Sequence, residues 1–194
     1  IQKKPLDRGA FFIFMPMRTR VLLIFLFSLQ LLFSQEKPVF EKAFALEADR
    51  FIGTDALHGI YYIKNEVLYK KSEEKLWSYQ NVNLGQLSSV DIGNPFKIIL
   101  FYRDYNTVIV LDNNLNELTG AIGLAGVNYN LVGFASENDL WLYSKDDNLL
   151  IRFNYQNKNI QLVSQPLSFY QKEFLAEEIF SDNQNVWLGG PKGI

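Results

Sequence analysis

Cysteine is absent from this sequence, and histidine occurs once, as His58. The first absence excludes disulfides, thiolate metal sites, cysteine nucleophiles and a lipid anchor on cysteine. The second excludes zinc sites built on several imidazoles. No long basic run exists either. With 19 Lys and Arg against 21 Asp and Glu the formal net charge is -2, and nucleic-acid binding, which needs a basic stripe to neutralise phosphates, is set aside. Disorder is excluded by what is present: aromatics make up 15% of the residues and charged residues only 21%, a composition able to build a core.

One apolar run stands out, and it lies near the start. Residue 1 is Ile, and Met15 and Met17 are the first methionines. From Met17 the chain reads Met-Arg-Thr-Arg, then an apolar stretch Val21–Phe33 broken only by Ser28 and Gln30, then Ser34-Gln35-Glu36. A positive head, a short apolar stretch and a small residue at the exit are the three parts of a secretory signal peptide. Thirteen residues are too few for a membrane span, which takes about 20. Extending the run back through Phe11–Phe14 would bury Arg18 and Arg20, at about 2.5–3.5 kcal/mol each near a helix centre. Residues 17–34 are therefore expected to be a signal peptide cleaved near Ser34/Gln35. Residues 1–16 read as an upstream extension or a misassigned start, and residues 35–48 as a linker to the first strand. The membrane is involved only through the signal peptide, and the destination is the periplasm, the cell surface or the medium.

Beyond residue 41 the apolar runs are four to six residues long, rich in Tyr, Phe, Val and Ile, and separated by Asn, Asp and Gly. This is the pattern of strands and hairpins. Only Leu167–Phe180, with Phe169, Tyr170, Phe174 and Leu175, offers a helical turn or two. The strands recur with a period. Asp49–Ile63 reads as strand, Asp-containing turn, strand, and so do Leu87–Phe101, Asn130–Tyr143 and Glu177–Gly189. The second strands begin at Ile60, Ile98, Leu140 and Val186, with spacings of 38, 42 and 46 residues. Each of the first three copies continues into a third strand (Val67–Lys70, Thr107–Leu111, Leu149–Phe153) and a fourth (Lys75–Tyr79, Leu118–Ile122, Ile160–Val163). Four strands per unit of this length form a β-propeller blade. The fold class is thus all-β: an incomplete propeller over residues 49–194, about three full four-stranded antiparallel units plus half a fourth, preceded by the signal-peptide helix. Propellers have 4–8 blades, so the chain reads as the front part of a longer protein. A β-sandwich or irregular meander of the same strands is the rival fold.

Two elements carry a family resemblance over roughly residues 45–194. Val186-Trp187-Leu188-Gly189-Gly190 resembles the "VWLGG" element of two-component-regulator-like propeller repeats, and Asn106-Thr107-Val108-Ile109-Val110-Leu111-Asp112 resembles a strand of surface propeller repeats. Both belong to exported bacterial proteins. The resemblance implies a propeller; the other copies lack the Gly-Gly after Trp, and no family function is carried over.

Candidate chemistry is sparse. His58 and Asp55 share the "TDALHG" turn, but no nucleophile elbow G-x-S-x-G accompanies them, so His58 reads as a surface turn residue. The acidic pairs Glu73-Glu74, Asp146-Asp147 and Glu177-Glu178 are adjacent in sequence, and neighbours on a strand face opposite ways; none is a glycosidase dyad by itself. Asp146-Asp147-Asn148 lacks the calcium-loop pattern and reads as a turn. Trp141 and Trp187 hold equivalent second-strand positions and read as packing residues between units, whereas Trp77 is the surface candidate. Gly120–Gly126 lacks a phosphate-loop lysine and reads as a bend between units two and three. No catalytic residue, binding residue, metal site or cofactor is assigned. The expected function is a non-enzymatic binding or scaffold propeller of the bacterial envelope, with a protein or glycan as partner on its loop face or in its central channel. The alternatives are a sensor propeller of a longer signalling protein, and a propeller hydrolase or lyase whose site lies partly in another part of the protein.

Overall fold

The computed structural model describes residues 43, 45–73, 75–182 and 185–191. The chain divides into two compact units, Ile1–Ala45 and Leu46–Ile194. Residues 17–34, expected to form a signal peptide, and the stretch before them fall outside the described residues. Every strand among the described residues belongs to the second unit.

Four antiparallel sheets succeed one another along the chain. The first holds β1 (Arg50–Thr54), β2 (Ile60–Lys64), β3 (Val67–Ser72) and β4 (Lys75–Tyr79), in that spatial order. The second holds β5 (Ser89–Asp91), β6 (Ile98–Tyr102), β7 (Thr107–Leu111) and β8 (Ile122–Gly123), and the third β9 (Leu131–Ser136), β10 (Asp139–Ser144), β11 (Leu149–Asn154) and β12 (Asn159–Val163). The fourth contains β13 (Glu178–Ser181) and β14 (Val186–Gly189) among the described residues. This is a partial β-propeller of three full blades and half of another. Its repeat is written into the backbone. The residue before each first strand donates to the second strand of its own sheet: Asp49 to Ile63, Ser88 to Phe101, Asn130 to Tyr143 and Glu177 to Gly189, at 2.7–2.9 Å.

The turns between second and third strands repeat as well. Asn65, Asn106 and Asn148 adopt the left-handed conformation there, with φ of 49°, 45° and 53°, which asparagine tolerates better than most residues. A side chain from just before the first strand accepts an N–H of each turn: Asp49 from Asn65 (2.6 Å), Ser88 from Arg103 (3.1 Å) and Asn130 from Lys145 (2.7 Å). Asn106 and Asn148 reach further. The Asn106 amide donates to the carbonyls of Leu124 and Val127, and that of Asn148 to the carbonyl of Phe174. Each thereby ties its turn to the segment leading into the next blade.

The core lies between sheets. Tyr61, Ile63 and Leu68 of the first sheet meet Ile98, Leu100, Ile109 and Leu111 of the second. The opposite face of the second sheet, with Ile99, Phe101, Val108 and Val110, meets Val132, Phe134, Leu140 and Leu142 of the third. A smaller cluster of Leu131, Tyr143, Ile179 and Leu188 joins the third to the fourth. β6 and β7 are buried along their whole length because sheets cover both their faces. That is why Ile-Ile-Leu-Phe-Tyr and Thr-Val-Ile-Val-Leu show no polar alternation.

Two expectations need correction. The fourth strand of the second blade is Ile122–Gly123, not Leu118–Ile122. Leu111 bridges Glu117, and Leu118 donates to Val110, but Thr119-Gly120-Ala121 leave the ladder before Ile122 pairs with Val108. The bend between blades therefore begins after Gly123. Trp77 packs against the core between the first two sheets, because its strand position faces the second blade. Leu188 takes the face of β14 that meets the third sheet, and Trp187 lies on the opposite face. As expected, the segment Leu167–Phe180 holds little helix, a single 3-10 turn at Leu167–Phe169.

Packing of this kind sets a contrast that unfolding measurements can read. Leu100 is fully buried and Ile160, on β12, is 56% exposed. Leu100→Ala is expected to cost about 2–5 kcal/mol in denaturant unfolding, and Ile160→Ala about 0.5 kcal/mol or less.

Candidate binding site at the axis

The first strand of every sheet faces a common cavity of about 450 Å³, walled by β1, β5, β9 and β13. Ile52, Val90, Ile92, Leu131, Val132 and Ile179 make it largely apolar, and the carboxylates Asp91, Glu177 and Glu178 and the hydroxyls of Ser89 and Ser181 add polar points. An apolar concavity with a few converging polar groups is the usual form of a ligand site.

Asp91 is its central polar group. Its two oxygens accept from the Gly93 N–H (2.8 Å) and, across to the third sheet, from the Phe134 N–H (2.7 Å). From the other side, the Ser181 hydroxyl donates to the Phe134 carbonyl. A carboxylate from the second blade and a hydroxyl from the fourth thus satisfy both backbone groups of one residue on the third. The three first strands converge on Gly133, where even a Cβ would fit at ordinary contact distance. A Cβ there would stand 3.4 Å from Asp91 Oδ2, 3.4 Å from Ser181 Oγ and 3.5 Å from Ile179 Cγ2. Burial pushes the Asp91 carboxyl above its ordinary value, while the two backbone N–H groups pull the other way. Sequence reasoning passed over Asp91. The signal was a lone charge between Val90 and Ile92 in an apolar strand.

Asp55 does have a partner, but it is not His58. In the β1–β2 turn, Asp55 accepts from the Leu57 and Gly59 N–H groups (2.9 and 2.8 Å) and from the Tyr61 hydroxyl (2.8 Å). Its Oδ2 stands 3.2 Å from Lys70 Nζ, with both side chains buried. Lys70 also donates to the Asn113 carbonyl (3.0 Å) and to the Asn113 side chain, lies 5.1 Å from the Tyr61 ring and 5.8 Å from the Trp77 ring, and so pins the first blade to the second. A Cβ at Gly59 would come within 2.6 Å of Lys70 Cε and 2.9 Å of Asp55 Oδ2, so a side chain there would have to displace the pair. Burial raises the Asp55 carboxyl, but the Gly59 N–H, the Tyr61 hydroxyl and Lys70 outweigh it and hold it below the ordinary value. His58 is exposed, with φ of 63°.

The other residues singled out are spread apart. Glu73 lies in the β3–β4 turn, and Glu74 lies outside the described residues. Asp146 and Asp147 lie in the β10–β11 turn, where the Asp147 carboxylate accepts from Ser144 and Asn148 from Tyr143. Of the acidic pairs, only Glu177-Glu178 lines the axial cavity among the described residues. Trp141 stands on the third sheet with the Arg152 guanidinium 5.9 Å from its ring, and Arg152 is itself held by Asp139 at 2.8 Å.

No family model and no curated protein matches the sequence. Solved structures do match in shape. The chain is similar to a fragment of HIRA, with a TM-score of 0.52 at 10% identity over 79% of this chain and 53% of that one. It is also similar to streptogramin B lyase, with a TM-score of 0.50 at 14% identity over 74% of this chain and 51% of that one. Both are propeller-type structures, and the chain spans about half the length of each. At these identities the likeness establishes the fold.

The two carboxylates respond differently to change. Lys70→Met strands Asp55 in the core and is expected to cost about 3–5 kcal/mol, with much of the loss recovered in the Asp55→Asn/Lys70→Met double variant. Because the folded-state value of Asp55 lies below the unfolded one, its stabilisation is complete above the ordinary carboxylate range and drains away as pH falls through the lower value. Acid titration of the unfolding free energy, wild type against double variant, reads this directly. Asp91→Ala removes the acceptor of the Phe134 N–H and is expected to cost about 1–3 kcal/mol, measured in the same way.

Proposed function

We propose that the protein is an exported, non-enzymatic binding or scaffold propeller of the bacterial envelope, and that the axial cavity receives a protein or glycan partner. The observation that carries this reading is the use made of Asp91. Both of its oxygens hold backbone N–H groups, so the carboxylate shapes the cavity instead of standing ready for proton transfer. Apolar walls around it suit burial of a partner's side chain or sugar face. Export rests on the order of charges, apolar stretch and small residue at 17–34.

A second reading, a propeller lyase, is favoured by the likeness to streptogramin B lyase and by the gathering of Asp91, Glu177 and Glu178 around one cavity. Streptogramin B incubated with the protein and followed by chromatography separates the two: steady consumption, abolished in a Glu177→Gln/Glu178→Gln variant, would replace the binding reading with the lyase one.

Export is tested by N-terminal sequencing after expression in a bacterium. The mature chain is expected to begin near Gln35 and to leave the cytoplasm; an unprocessed cytoplasmic chain would overturn that part of the proposal. Binding is tested on glycan arrays and on panels of purified envelope proteins. A ligand held by the wild type is expected to be weakened roughly tenfold or more by Glu178→Arg at the cavity wall, with the unfolding midpoint unchanged. A ligand that ignores this substitution would move the binding site away from the axis.

A further inference from the structure

A second cavity, of about 530 Å³, lies between the second and third blades, away from the axis. Its lining combines the interrupted fourth strand of the second blade with Lys97 before β6 and with Asn138, Tyr155 and Lys158 of the third blade. The interruption matters. Thr119, Gly120 and Ala121 have left the ladder, and neither their N–H nor their carbonyl groups are paired among the described residues. Thr119 Oγ1 is buried without a hydrogen-bond partner. Bulged strands of this kind are commonly retained where they re-aim groups toward a site, and a buried polar atom left unpaired calls for a ligand or water to satisfy it.

The charge at this place has one sign. Lys97 and Lys158 line the cavity, and no carboxylate does. Neither lysine belongs to an ion pair among the described residues. Lys97 is held in place by neutral acceptors, the Glu137 carbonyl and Asn138 Oδ1, so it is positioned without being neutralised. Lys158 sits in the β11–β12 turn with φ of 56°. Tyr155 is buried, and its hydroxyl is committed to Asn138 Oδ1 at 3.1 Å.

Two ammonium groups with no carboxylate beside them, a buried hydroxyl without a protein partner and the unpaired backbone N–H groups of Gly120 and Ala121 meet at this cavity. The chemistry that satisfies such a set is an acceptor-rich anion, which takes charge-assisted hydrogen bonds from ammonium groups and ordinary ones from N–H groups. We propose that the cavity between the second and third blades binds an oxyanion, that is, a carboxylate, sulfate or phosphate group, free or borne on a larger ligand. This site is independent of the axial cavity and does not depend on the function proposed for it.

The test is an amide-shift titration of the protein by NMR with sodium sulfate, sodium phosphate and sodium acetate, each against sodium chloride at matched ionic strength. Saturable shifts of the Gly120 and Ala121 amides are expected with at least one of the three, and the one that saturates at lowest concentration identifies the group. Thr119→Val and Lys158→Asn are each expected to weaken that binding roughly tenfold, the scale of a lost hydrogen bond to a charged group. Thr119→Val removes a hydroxyl without a protein partner, and asparagine suits the left-handed turn at residue 158, so both variants are expected to keep the wild-type unfolding midpoint. Shifts no different from chloride, or saturable binding that neither variant weakens, would overturn the proposal.

Discussion

Face-to-face burial of the second sheet between its neighbours is the constraint on which the remaining structure depends. β6 and β7 have no exposed side, so each must be covered by apolar groups from two other sheets. Ile98 and Leu100 point one way and Ile99 and Phe101 the other, in keeping with the two-residue alternation of a strand. Removing either neighbouring sheet would expose a full apolar face. Cooperative stability in such an array comes from contacts between adjacent repeats more than from any repeat alone.

Burial of that kind is non-directional, and polar contacts set the register. Three asparagine turns and the side chains that cap them lock each second strand to its own first strand, and Asn106 and Asn148 add a tie to the entry of the next blade. The buried Asp55–Lys70 pair does the same between the first two blades. A buried pair of this sort gives weak net stabilisation against an apolar alternative; its contribution lies in geometry, since Lys70 meets Asp55, Tyr61, Trp77 and Asn113 at one point. At the axis, Asp91 and Ser181 satisfy the Phe134 backbone where no further strand pairs with it. Polar side chains here act as substitutes for missing ladder bonds.

The two cavities obey the same rule applied in opposite ways. At the axis, the unpaired backbone of Phe134 is satisfied, and the cavity keeps apolar walls around a committed carboxylate. Between the second and third blades, the backbone at Thr119–Ala121 is left unpaired, and two lysines without a carboxylate line the cavity. Whether a strand's free groups are closed by side chains or left open decides the chemistry each space offers.

The repeat, the strand positions and the extent of the blades were legible in the sequence, because strand periodicity and Asn, Asp and Gly turns are local properties. Val67, Thr107 and Leu149 begin third strands as their turns imply, and Ile60, Ile98 and Val186 begin second strands. The loss of pairing at Thr119–Ala121 was not legible, since Leu118–Ile122 has the composition of a strand and the ladder breaks only against Ile109 of the partner strand. Nor were the faces of Trp77 and Trp187, because the direction in which a residue is buried depends on which sheet stands opposite. Asp91 and Lys70 illustrate the limit most plainly. By itself the sequence determined that the chain makes short strands in a repeating order. Tertiary structure alone decided that one charge would hold two blades at the axis and that another would reach Asn113 of the next blade, because each depends on atoms roughly 40 residues away along the chain, one propeller repeat.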